Sequence, residues 1–172
     1  MLARVWADAG LRTLAVDCDP NPNLAESFGL DSSRLPRFGH DGLERAGETL
    51  VLAREPTLVS AARNVWLLGG PPGATPLADA VARGIAGVLV ADRYDRVVTD
   101  LGAGPELARV AVGGVLNPAD ICVVLSDGTR RADEAAGRIE EACRARGVPA
   151  LRFENRHGEP DRVATELAAK LR

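Results

Sequence analysis

Apolar positions along this chain fall into two rhythms. Strand-length runs with an apolar centre occur at residues 14–17, 64–68, 94–100, 120–126 and 148–153, and elsewhere apolar residues recur every third or fourth place. Runs of the first kind predict strands buried on both faces, as in parallel sheets; stretches of the second kind predict helices with one face inward. The helical stretches are 1–10, 75–92, 106–116, 129–146 and 160–172. Strand and helix alternate, which predicts an α/β fold with a five-stranded, mainly parallel sheet and helices on both faces.

The inward faces can be named. Leu2, Val5, Trp6 and Ala9 share helical spacing before Gly10, a plausible C-cap, with no capping residue ahead of them, so 1–10 reads as the second half of a helix. Leu77, Val81, Ile85, Val88 and Leu89 line the second helix, and Ala132, Ala135, Ala136, Ile139 and Cys143 the fourth, with Asp127 or Thr129 as its cap. Val163, Leu167 and Leu171 line the last, which is expected to pack on the sheet. Between 31 and 56 no period persists, which predicts a loop with a short strand or helix around 49–54.

The first strand carries the first chemistry. It ends in Asp17, Cys18, Asp19 and Pro20, and so brings two carboxylates to the C-terminal edge, where open α/β sheets hold ligands. Pro20 and Pro22 stop the strand, and Asn21 and Asn23 suit a turn. Ordinary strand-exit turn chemistry accounts for the same residues. Arg130 and Arg131 open the fourth helix against its dipole preference; a solvated face and a contact with a partner or phosphate are both open.

Composition narrows the classes. A length of 172 residues suits one domain spanning 1–172, and a net charge of −3 gives no basic footprint for direct nucleic-acid or anionic-membrane binding. No signal-peptide pattern or bilayer-length apolar run is present, so a cytoplasmic location is expected. Cys18, Cys122 and Cys143 are widely spaced, without C-x-C or C-x-x-C, and His40 and His157 have no spaced partners. Three reduced, buried thiols that do not converge, and no metal site, are expected.

The stretch 14–30, LAVDCDPNPNLAESFGL, resembles the switch I segment of the deviant-Walker P-loop ATPases, the group of MinD, ParA, ArsA and the nitrogenase iron protein. It is most similar to the CooC-like nickel-insertion ATPases, whose switch reads roughly VDADPNxNL. The stretch 94–106, YDRVVTDLGAGPE, is similar to the same group's Walker B and switch II segment. The resemblance implies a P-loop NTPase-like fold, ATP and Mg²⁺ as cofactors, and ATP-dependent dimerisation in the service of a client protein. Residue by residue, it implies that Asp19 orients the attacking water and that Asp100 holds a water on Mg²⁺. It implies that Asn23, Gly104 and Asn155 lie on the nucleotide side, Asn155 reading adenine, and that Glu106 lies at the dimer face.

Two departures matter. The family loop K-G-G-x-G-K-S/T, which cradles phosphates with backbone N–H groups and supplies a lysine and a Mg²⁺-binding hydroxyl, is absent, and Lys170 is the only lysine. The resemblance thus implies a family member that lacks the first strand and P-loop ahead of 1–10. That strand belongs between 94–100 and 120–126, so those two either flank a gap or pair directly. Where CooC-like proteins carry a metal-holding C-x-C pair, this chain has GATP, which argues against nickel. Two functions follow as expectations: an accessory ATPase, or a protein-binding module that keeps the fold without hydrolysis.

Overall fold

The computed structural model describes residues 2–17, 19, 23–31, 43–46, 49–52, 59–69, 94–101, 119–155 and 160–171. The expected helices at 75–92 and 106–116 lie outside the described residues.

The chain opens with helix α1 (Leu2–Asp8) and strand β1 (Thr13–Asp17). Gly10 ends the helix as expected. At φ +89° it lets its own N–H reach Ala7 O (2.9 Å) while Leu11 N–H reaches Trp6 O (3.1 Å), the paired bonds by which a left-handed residue closes a helix. The buried face is Ala3, Trp6 and Ala7, rotated from the expected Leu2, Val5, Trp6 and Ala9. Small Ala3 and Ala7 let the helix lie close on the sheet.

All five residues of β1 are buried, because it is an inner strand. It pairs in parallel with β5 (Val65–Gly69) on one side and β6 (Arg96–Asp100) on the other. At its start, Arg12 grips Asp95 with Nε and Nη2 (3.2 and 3.0 Å), and Asp95 N–H donates back to Arg12 O (2.8 Å). This exposed fork pins the entrances of β1 and β6 in register more than it adds stability. Strand β4 (Val59–Ala62) adds antiparallel to β5 and completes a four-stranded sheet in the order β4-β5-β1-β6. The turn into β5 passes through Asn64 at φ 61°, a conformation asparagine tolerates well.

A separate hairpin is formed by β2 (Leu43–Ala46) and β3 (Thr49–Leu52). One short element had been expected at 49–54; β2 and β4 have too little alternation to stand out, and exist through their pairing partners.

The last third is a parallel pair, β7 (Cys122–Ser126) and β8 (Ala150–Glu154), joined by helix α2 (Arg130–Arg144) and followed by helix α3 (Pro160–Lys170). Thr129 caps α2, its Oγ1 accepting from Ala132 N–H at 3.2 Å. Ala136 and Cys143 face Cys122, Val124 and Val148, with Leu101, just past β6, packed against the same cluster. α3 buries Val163, Ala164, Leu167 and Ala168. It packs along α1 and reaches the sheet where Lys170 Nζ lies 5.3 Å over the Phe153 ring.

The fold class is therefore as expected, a mainly parallel α/β architecture with packed helices. The single five-stranded sheet is not: among the described residues the strands divide into one group of four and two pairs. The division falls between β6 and β7, which do not pair among the described residues. All five residues of β6 are only half-buried, in contrast to β1, and Leu125 on β7 is 55% exposed.

Candidate functional site

Three strands end level at one edge. Register pairs Asp17 with Gly69 of β5 and with Asp100 of β6, so two carboxylates stand side by side at the C-terminal ends of parallel strands, with Asp19 just beyond. Asp19 and Asp100 are half-buried and Asn23 is exposed. The chain then turns into a short 3-10 helix, Glu26–Phe28, closed by Gly29 at φ 76°. Asn23 O accepts the Glu26 N–H at 3.1 Å, so Asn23 starts this turn through its backbone.

Asp17 organises the edge. It is 1% exposed, with Oδ1 accepting from Asp19 N–H (3.2 Å) and Oδ2 from Leu24 N–H (2.9 Å). Burial raises its pKa; the two backbone hydrogen bonds oppose this, while the nearby charges of Asp100 and Asp19 add to it. The net direction means that this environment disfavours the carboxylate it contains. Such an arrangement is common where chemistry, not stability, decides the residue.

A pH dependence follows. A group whose folded pKa is raised contributes stability below its unfolded pKa and loses that contribution as pH rises through the folded value. Asp17→Asn, which does not titrate, should therefore gain on wild type as pH rises above the ordinary carboxylate range of about 4. Urea midpoints at several pH values check this, and a constant difference contradicts it.

Asn155 lies elsewhere, past the end of β8, with its backbone N–H on Ser126 O at 2.7 Å. Ser126, 4% exposed, donates from Oγ to Asp133 Oδ1 (2.8 Å) and accepts the Gly128 N–H (3.1 Å), while Arg152 Nη2 donates to Asp133 Oδ1 (2.8 Å). This network shapes the turn from β7 into α2, beside Asn155. It escaped sequence reasoning because its members are 7 and 19 residues apart. Asp17 was visible as a carboxylate but without a role, since only its two backbone partners reveal one. Gly104 and Glu106, like His40 and His157, lie outside the described residues. Arg130 is exposed and is held by Glu134 in an i,i+4 pair at 2.9 Å.

The cysteines require a correction. Cys18 lies outside the described residues, but Cys122 and Cys143 converge in one buried cluster. α2 runs back antiparallel to β7, so its last turn returns over the first residue of the strand. Burial, reinforced by Cys143, pushes the Cys122 thiol up to about 12, leaving it a poor ligand. No group of three or more metal-ligating side chains occurs among the described residues. Zinc and nickel should be lost on chelator treatment and dialysis; stoichiometric metal that survives and disappears in Cys122→Ser would refute this.

No family model and no curated protein matches the chain. Solved structures do. A plasmid partition protein from Borrelia burgdorferi superposes with a TM-score of 0.61 at 14% identity, over 99% of this chain and 76% of that one. A putative plasmid partition protein from Borrelia burgdorferi B31, bound to AMPPNP, gives 0.59 at 14%, over 99% and 73%. Cobyrinic acid a,c-diamide synthase from Mycobacterium smegmatis, with bound ADP and magnesium, gives 0.51 at 18%, over 98% and 73%. At these identities the likeness is one of fold: this chain shares the architecture of these proteins. Among the described residues no helix is long and apolar enough to cross a membrane.

Proposed function

We propose that this chain is an ATP-binding protein of the MinD/ParA superfamily, a cytoplasmic, CooC-like accessory ATPase by descent, whose 172 residues do not themselves turn over ATP. The observation that carries the reading is the level ending of β1 and β6, which stands Asp17 beside Asp100 with Asp19 just beyond. Two structures of this fold hold an adenine nucleotide, one of them with magnesium.

Hard oxygen donors at this edge suit Mg²⁺, which takes one or two carboxylates and keeps several waters. When bound, the ion would neutralise phosphate charge. Asp100 would hold one of its waters and Asp19 would align the attacking water. Asn23, Gly104 and Asn155 would face the nucleotide, and Glu106 a second subunit in an ATP-dependent homodimer that acts on a client protein.

The residues present do not supply a phosphate cradle, because no Gly-rich stretch followed by Lys and Ser/Thr occurs in the sequence. The second reading is a non-hydrolytic protein-binding module. Amide spectra recorded while ATP and Mg²⁺ are added separate the two. The nucleotide reading expects shifts at Asp19, Asn23, Asp100 and Asn155 that Asp100→Asn diminishes. Unchanged spectra at millimolar nucleotide would hand the chain to the module reading.

A further inference from the structure

Asp17 is the last residue of the fully buried β1, and its side chain turns back on its own chain. Its two oxygens are used separately, Oδ1 on the Asp19 N–H two residues on and Oδ2 on the Leu24 N–H seven residues on. One carboxylate therefore ties both where the chain leaves the strand and where it comes back to begin the 3-10 turn. Asp19 is itself the first of those ties. Phe28 of that turn is anchored in the core with Ala25, Ala3 and Leu67, so the Leu24 end of the clamp is fixed to the body of the domain.

We propose that Asp17 is the positioning residue of this edge, a two-oxygen clamp that holds Asp19 at the strand end and that a neutral side chain of the same shape cannot replace. The functional meaning rests on the nucleotide reading, in which Asp19 must be held against a reacting water; the clamp itself does not. Asparagine matches aspartate in size but offers one acceptor oxygen, and its amide nitrogen would face a backbone N–H with nothing to accept. Space-filling would be rescued fully by asparagine, whereas a two-oxygen clamp would be rescued by half.

Residue-resolved amide hydrogen exchange on the whole chain tests this without nucleotide. In Asp17→Asn, one of the Asp19 and Leu24 amides should exchange at least about tenfold faster while the other keeps its protection. In Asp17→Ala both should accelerate, and in both variants the amides of Leu14, Ala15 and Val16 should hold their wild-type rates. Wild-type protection of both Asp19 and Leu24 in Asp17→Asn would show that shape suffices. Equal acceleration throughout β1 would show that Asp17 supports the strand instead of the loop. Either result overturns the clamp, and the asparagine variant decides the matter even if alanine prevents folding. Failure of wild type to bind ATP with Mg²⁺ would sink the nucleotide reading and leave the clamp standing.

Discussion

Leu67→Ala is expected to cost about 2–5 kcal/mol of folding stability, toward the upper part of that range. Leu67 is 1% exposed on β5, packed in a cluster with Ala3, Ala7, Ala15, Val65 and Phe28. The lost transfer energy is only part of the cost; the rest depends on how far the neighbours can close on the cavity. Four residues of the cluster, Ala3, Ala7, Ala15 and Ala25, are alanines, too short to reach inward, and Ala15 is held in a strand paired on both sides. Phe28 is the largest side chain of the cluster, and Gly29 at φ 76° fixes the turn that carries it. Against a total of about 5–15 kcal/mol, the loss is a large fraction of what holds the domain together. The urea midpoint should fall with the slope unchanged. A shift worth less than about 1 kcal/mol would mean that the cluster repacks freely.

The inner strand was the most legible part of the chain. An unbroken run such as LAVD has one common use, burial on both faces, and β1 has it. Helix ends were legible wherever their chemistry is local: Gly10 and Thr129 act within their own turns. What depends on partners far along the chain was not. β4 exists because β5 offers it an edge, and Cys122 meets Cys143 because α2 runs back over β7. At the site, the carboxylates at 17, 19 and 100 could be read, and strand register then set Asp17 beside Asp100. The clamping role of Asp17 could not be read, since its acceptors serve backbone N–H groups, which carry no sequence signature.

The second large effect concerns turnover. Phosphoryl transfer depends on positioning and on neutralising charge at the phosphoryl oxygens. Each preorganised donor of this kind is worth about 10²–10³ in rate. The sequence has no glycine-rich loop to aim backbone N–H groups, no lysine beyond Lys170 near its end, and no hydroxyl following such a loop. Asp19 and Asp100 are carboxylates and can supply none of these donors. Water alignment without a cradle leaves the triphosphate unheld, so the combined loss removes any catalysis that could be told from background.

The most direct measurement is phosphate release from ATP and Mg²⁺ by the purified 172-residue chain, run beside Asp19→Ala. The expected result is no release above the protein-free control for either. Steady release by the wild type that Asp19→Ala abolishes would contradict the claim, and would mean that this edge assembles a working phosphate site from residues other than a P-loop.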